Sequence, residues 1–130
     1  RLTNELESIG DSCFNLLLQI EKNNNEKLVF SDKMKKEISQ LYSMIIKFVQ
    51  WNNSFIQNNL KPMTDIDLSK SIKFERDIDD IRNKFLDSSM SRLSLESNPK
   101  AELLYMDIIK HLEHIGDYSL NISQALEQID

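Results

Sequence analysis

Apolar side chains recur every three to four residues along almost the whole chain, the spacing of one face of an α-helix rather than the alternation of a strand. Leu2, Leu6, Ile9, Cys13, Leu16, Leu17 and Ile20 predict a first helix over about 1–22, which Asn23-Asn24-Asn25 is expected to end. Ser31 is suited to cap a second helix over about 32–59, carrying Met34, Ile38, Leu41, Ile45, Phe48, Val49, Phe55 and Ile56 as far as the break at Leu60-Lys61-Pro62. Thr64 with Asp67 has capping-box spacing and opens a third over about 65–95, through Leu68, Ile72, Ile78, Ile81, Phe85, Leu86 and Leu93. Asn98 followed by Pro99 starts a fourth, over about 99–129. The short connections make sequence neighbours antiparallel, so the expected fold is all-α: an up-down-up-down bundle of four long helices in one domain spanning residues 1–130.

Composition narrows this further. The chain has two glycines and two prolines. Average usage would supply about nine and six, so turn-rich sandwiches and glycine-loop nucleotide folds drop out. Twenty-one acids against sixteen bases leave a net charge of -5, which argues against a nucleic-acid partner, since such binders present a basic stripe to phosphates. No apolar run approaches the roughly 18 residues of a membrane span, and the longest is interrupted at Lys47. The single Cys13 cannot form an intrachain disulfide, and its place in the apolar spacing predicts a core position. The chain opens directly in an amphipathic pattern without an initiating Met, so it is expected to be the C-terminal part of a longer polypeptide.

The chemistry lies in a repeat. Residues 6–15 read Leu6-Glu7-Ser8-Ile9-Gly10-Asp11-Ser12-Cys13-Phe14-Asn15, and residues 112–121 read Leu112-Glu113-His114-Ile115-Gly116-Asp117-Tyr118-Ser119-Leu120-Asn121, with six of ten positions identical. Helices one and four are therefore copies of one unit. A mid-helix glycine costs about 1 kcal/mol relative to alanine, and both copies bear that cost between their two carboxylates, which suggests that something needs room there. A third acidic pair, Glu75 and Asp79, falls within the apolar stripe of helix three, with Arg82 as a candidate partner. Buried carboxylates must be paired, hydrogen-bonded or metal-bound. Counted along the bundle, the three pairs lie within about 6 Å of one level, so six carboxylates are expected to converge there. Oxygen-only ligands suit Mg, Ca, Mn or Fe rather than a thiolate zinc site. The Glu-x-x-His spacing of a di-iron oxidase is absent, because Gly116 stands three residues after Glu113. Asp107, His111, His114 and Tyr118 read as surface groups.

At this repeat the sequence resembles the PhoU family, whose helices carry Glu/Asp-x-x-x-Asp signatures in a Leu-Glu-x-Ile-Gly-Asp-x-x-x-Asn context. Asn4 to Cys13 and Tyr105 to Ile109 look most like the PhoU-like C-terminal domain of bacterial sodium-dependent phosphate cotransporters, and Phe74 to Arg82 resembles the acidic middle helix of the PhoU three-helix repeat. The resemblance implies one full three-helix repeat preceded by the last helix of another. It implies a multinuclear site for iron or another divalent or trivalent metal at Glu7, Asp11, Glu75, Asp79, Glu113 and Asp117, supported by Asn15 and Asn121. Helix two departs from the relatives in having no carboxylate after Glu37.

The function this implies is regulatory and not enzymatic: control of phosphate transport and homeostasis from the cytoplasmic side of the inner cell membrane. The implied partner is a membrane transporter domain, upstream of Arg1 in the same chain; both monomer and homodimer stay open. The alternatives are a free-standing PhoU-like regulator of phosphate uptake signalling and a carboxylate-ligated metal-binding protein.

Overall fold

The computed structural model describes residues 2–26, 30–95 and 98–129, which form four helices: α1 (Leu2–Glu26), α2 (Asp32–Gln57), α3 (Asp65–Ser94) and α4 (Pro99–Glu127). Three starts follow the cap chemistry of the sequence. Ser31 Oγ accepts from the Met34 amide at 3.1 Å, Thr64 and Asp67 exchange bonds of 3.2 and 3.0 Å, and Asn98 Oδ1 accepts from the Ala101 amide at 3.3 Å. The first capping box is closed by a thioether, with Met34 Sδ accepting from the Ser31 amide.

Two boundaries differ from the sequence expectation. The three asparagines do not end α1, which continues to Glu26. Each asparagine costs a helix less than about 0.7 kcal/mol, too little to stop one that is packed against a neighbour. Helix α2 ends at Gln57, ahead of Pro62, in a left-handed turn: Asn59 and Leu60 both have φ of 55°, and the Lys61 amide reaches back to the Phe55 carbonyl at 2.9 Å.

Partners across the bundle set the directions. Trp51 meets Ser71 and Phe48 stacks on Phe74, so α2 and α3 are antiparallel. Ser89 meets Glu102 and Arg82 meets Glu113, which makes α3 and α4 antiparallel too. Glu37 meets Tyr105 and Asn52 meets Ser119, so α2 and α4 run parallel. Asn121 reaches Glu5, and Cys13 and Leu16 share a groove wall with Leu112, so α1 runs against α4. The up-down-up-down order holds, but the packing is uneven. Helix α4 touches all three others and α2 touches α3, whereas α1 meets only α4 at backbone distance among the described residues.

The core accordingly lies among α2, α3 and α4, around Leu41, Ile45, Phe48, Ile78, Tyr105 and Ile109. Two polar nodes are buried with it. Near the α3–α4 connection, Glu102 is 1% exposed and accepts from Ser89 at 2.5 Å and from Arg92 Nε at 2.6 Å. Tyr105 donates to Glu37 at 2.9 Å, and the Arg92 guanidinium lies over its ring. Lower down, Asn52 donates to the Ser119 carbonyl at 2.7 Å and accepts from Ser123 at 2.5 Å, tying α2 to α4. The expectation of a core cysteine is corrected: Cys13 is exposed at the edge of a groove, because among the described residues α1 meets only α4 at backbone distance. No described helix is long and apolar enough to cross a membrane.

Candidate metal centre

Glu75 and Asp79 stand one turn apart on α3, and Glu113 and Asp117 stand one turn apart on α4. Because the helices are antiparallel and in contact, the two pairs face each other, and one carboxylate oxygen from each residue lies within 4.8 Å of the others. Glu113 is buried and the other three are half-buried, so the cluster sits at the margin of the core with one side open.

Among the described residues Arg82 is the basic group in contact with it, 3.5 Å from Asp79 and 3.2 Å from Glu113. One guanidinium cannot balance four carboxylates. Burial pushes the Glu75 carboxyl up to about 8, with Asp79 and Asp117 adding like-charge pressure, and burial with Asp117 pushes Glu113 up to about 7. The Asp79 Oδ1 atom and the Arg82 Nε are buried without hydrogen-bond partners. This arrangement calls for protons or a cation. Ligand atoms on opposite sides of an ion are separated by twice the bond length, about 4.2 Å for Mg-like and about 4.8 Å for Ca-like distances, so a span of 4.8 Å fits a single hard cation. Four oxygens with no sulfur or imidazole select for the same class.

Glu7 and Asp11 do not join this group; both are exposed on α1. The expectation had all six acids converge, and the structure brings together the four on α3 and α4. Helix α1 turns Ile9, Ser12 and Leu16 toward the bundle, which aims its acidic motif outward. The two glycines separate in the same way. A β-carbon at Gly116 would meet Ile78 at 3.4 Å, so that copy receives a neighbouring helix, whereas one at Gly10 would meet nothing within 4 Å. Asn121 supports no carboxylate of the centre but donates to Glu5 at 3.1 Å, and Asn15 is exposed. Arg82 pairs as its position in the stripe suggested. His111 and His114 lie edge to face with ring centroids 6.2 Å apart, and His114 is exposed.

The sequence reading missed the Glu37, Arg92 and Glu102 node. A hint was present in Glu37, which stands three residues after Met34 and four before Leu41 on the apolar stripe of α2.

Fold and site together define an all-helical bundle with a carboxylate centre clamped between two antiparallel helices. Comparison with protein families adds that residues 63–126, nearly all of α3 and α4, match the PhoU domain. The matched stretch contains all four converging acids and Arg82. No curated protein matches the chain, and no solved structure does.

Proposed function

We propose that this chain is a regulatory, non-enzymatic module of phosphate homeostasis whose state depends on a metal ion held by Glu75, Asp79, Glu113 and Asp117. The observation that carries the reading is the convergence of these carboxylates within 4.8 Å, inside the stretch that matches the PhoU domain. A bound cation would supply the positive charge that Arg82 alone does not, and would displace the protons that otherwise relieve Glu75 and Glu113. Metal loading would thereby tighten the seam between α3 and α4, a local change that a partner protein could read. The partner is a phosphate transporter of the cell membrane, of the sodium-dependent cotransporter class, approached from its cytoplasmic side. That assignment rests on the sequence resemblance of residues 4–13 and 105–109. Iron is the ion the resemblance favours; the oxygen-only ligand set accommodates it alongside Mn, Mg and Ca, and the 4.8 Å span as it stands matches a Ca-sized ion, so a smaller one would draw the carboxylates closer.

The test is metal analysis of the chain purified without chelators, followed by titration with Mn²⁺ and Fe²⁺. Saturable uptake is expected, weakened at least tenfold in Asp79→Asn with Asp117→Asn and retained in Glu7→Gln with Asp11→Asn. Metal content unaffected by the first pair would remove the centre. In cells, deleting this segment should leave phosphate uptake intact but unresponsive to phosphate supply; loss of transport with normal membrane insertion would overturn the regulatory role.

A further inference from the structure

Arg82 stands among the ligands of the candidate centre, and its fit there is loose. It lies one turn after Asp79 on α3 and opposite Glu113 of α4, and its guanidinium reaches a carboxylate on each helix, Nη2 at 3.5 Å from Asp79 Oδ1 and Nη1 at 3.2 Å from Glu113 Oε1. Glu75 and Asp117, the other half of the cluster, form no ion pair among the described residues. A guanidinium satisfied by its site directs N–H groups at carboxylate oxygens about 2.7–2.9 Å away. Arg92 does so, with its Nε 2.6 Å from Glu102. Arg82 does not: its Nε and Asp79 Oδ1 are both buried without a hydrogen bond, so the group is held by charge across a longer gap.

We infer that Arg82 is the counter-ion of the metal-free centre and exchanges with the metal, so that this one side chain sets the affinity of the site. The inference rests on the metal reading proposed above. An ion within the 4.8 Å span of the ligand atoms has to use the oxygens of Asp79 and Glu113 that the guanidinium already faces at 3.5 and 3.2 Å. Two cations sharing those oxygens repel each other, and the repulsion is stronger in a half-buried seam than in water because the effective dielectric is lower. Arg82 is the one that can leave. Its side chain is 24% exposed and one side of the cluster is open, which gives it a path outward, and no hydrogen bond from its Nε holds it back. When the ion enters, the guanidinium moves from the seam to its open face. The fold stays the same while the surface charge beside the centre changes, a local event that a partner protein can read.

The experiment is calorimetric titration with Mn²⁺ of the wild-type chain, Arg82→Gln and Arg82→Lys. Arg82→Gln removes the competing charge and is expected to bind at least about tenfold more tightly than the wild type, whereas Arg82→Lys keeps the charge and should stay within about threefold of it. With chelator present, Arg82→Gln should melt below the wild type, because the crowded carboxylates lose their counter-ion. A measurement on the wild type alone does not depend on how the variants fold: solvent exchange of the Arg82 Nε–H, which is buried in the metal-free chain, should speed up at least tenfold on saturation with Ca²⁺. Unchanged or weaker binding by Arg82→Gln would overturn the proposal, since Arg82 would then be supporting the ligands. Unchanged or slower exchange of its Nε–H under Ca²⁺ would do the same. Uptake by Arg82→Gln alone would support it in its strongest form. Absence of uptake by the wild type and both variants is a different result, which removes the metal centre and this inference with it.

Discussion

Ile78 rests against Gly116, its Cγ2 3.4 Å from the position a β-carbon would occupy there. This contact brings α3 close enough to α4 for the acidic pairs on either side of it, Glu75 with Asp79 and Glu113 with Asp117, to share one space. The mid-helix glycine is thus explained by helix approach and not by direct contact with a ligand.

The spacing leaves room for one methyl group and little more. Gly116→Ala should be neutral or stabilise by up to about 1 kcal/mol, because alanine is the better helix former and 3.4 Å is ordinary contact. Gly116→Val should destabilise by about 1–3 kcal/mol through overpacking against Ile78. Urea unfolding of the two variants measures both signs.

The carboxyls of Glu75 and Glu113 are held above their ordinary range, at about 8 and about 7. The folded state therefore binds more protons than the unfolded state between about pH 4.5 and 8. Stability of the metal-free chain should fall as pH rises through that window and level off above it. Thermal melts at pH 5.5 and 8.5 should differ by a few degrees, the acidic sample melting higher, and saturating metal should shrink the difference. Equal melting temperatures without metal would mean that the acids do not crowd one another.

Removing one of the crowded charges should separate stability from binding. At pH 8, Glu75→Gln is expected to raise the melting temperature of the metal-free chain while weakening metal uptake at least tenfold, because it deletes like-charge pressure and a ligand together. A melt with chelator and a titration without it read the two effects separately.

Glu102 is almost wholly buried and receives both Ser89 and Arg92. Glu102→Ala should destabilise by about 3–5 kcal/mol, since it leaves a guanidinium facing the core without its closest carboxylate. Glu102→Gln should cost less, as it keeps the acceptor for Ser89. Denaturant midpoints of the two variants provide the check.

Leu60 holds a φ of 55°, a conformation in which its β-carbon crowds the backbone. Leu60→Gly should stabilise by about 0.5–1 kcal/mol, the relief of strain exceeding the added freedom of the unfolded chain. No change in the unfolding midpoint would show that contacts of the Leu60 side chain offset the strain.

Taken by itself, the sequence determined the four helices, three of their caps and the direction of each, because apolar spacing, Ser31, Thr64 and Asn98 act over a single turn. It also placed the acids of α3 and α4 at a common level, since rise per residue is constant along a helix. Which acids meet was decided only by tertiary packing. Rotation about a helix axis depends on all the side chains that find a neighbour, and α1 carries apolar residues on more than one side: Ile9 and Leu16 lean on the core, while Leu17 and Phe14 face out. The same motif therefore faces α3 in one copy and solvent in the other, and four of the six carboxylates form the centre. The buried node of Glu37, Arg92 and Glu102 was decided in the same way, by partners that the 68 residues from Glu37 to Tyr105 separate in the chain and the fold brings to 2.9 Å.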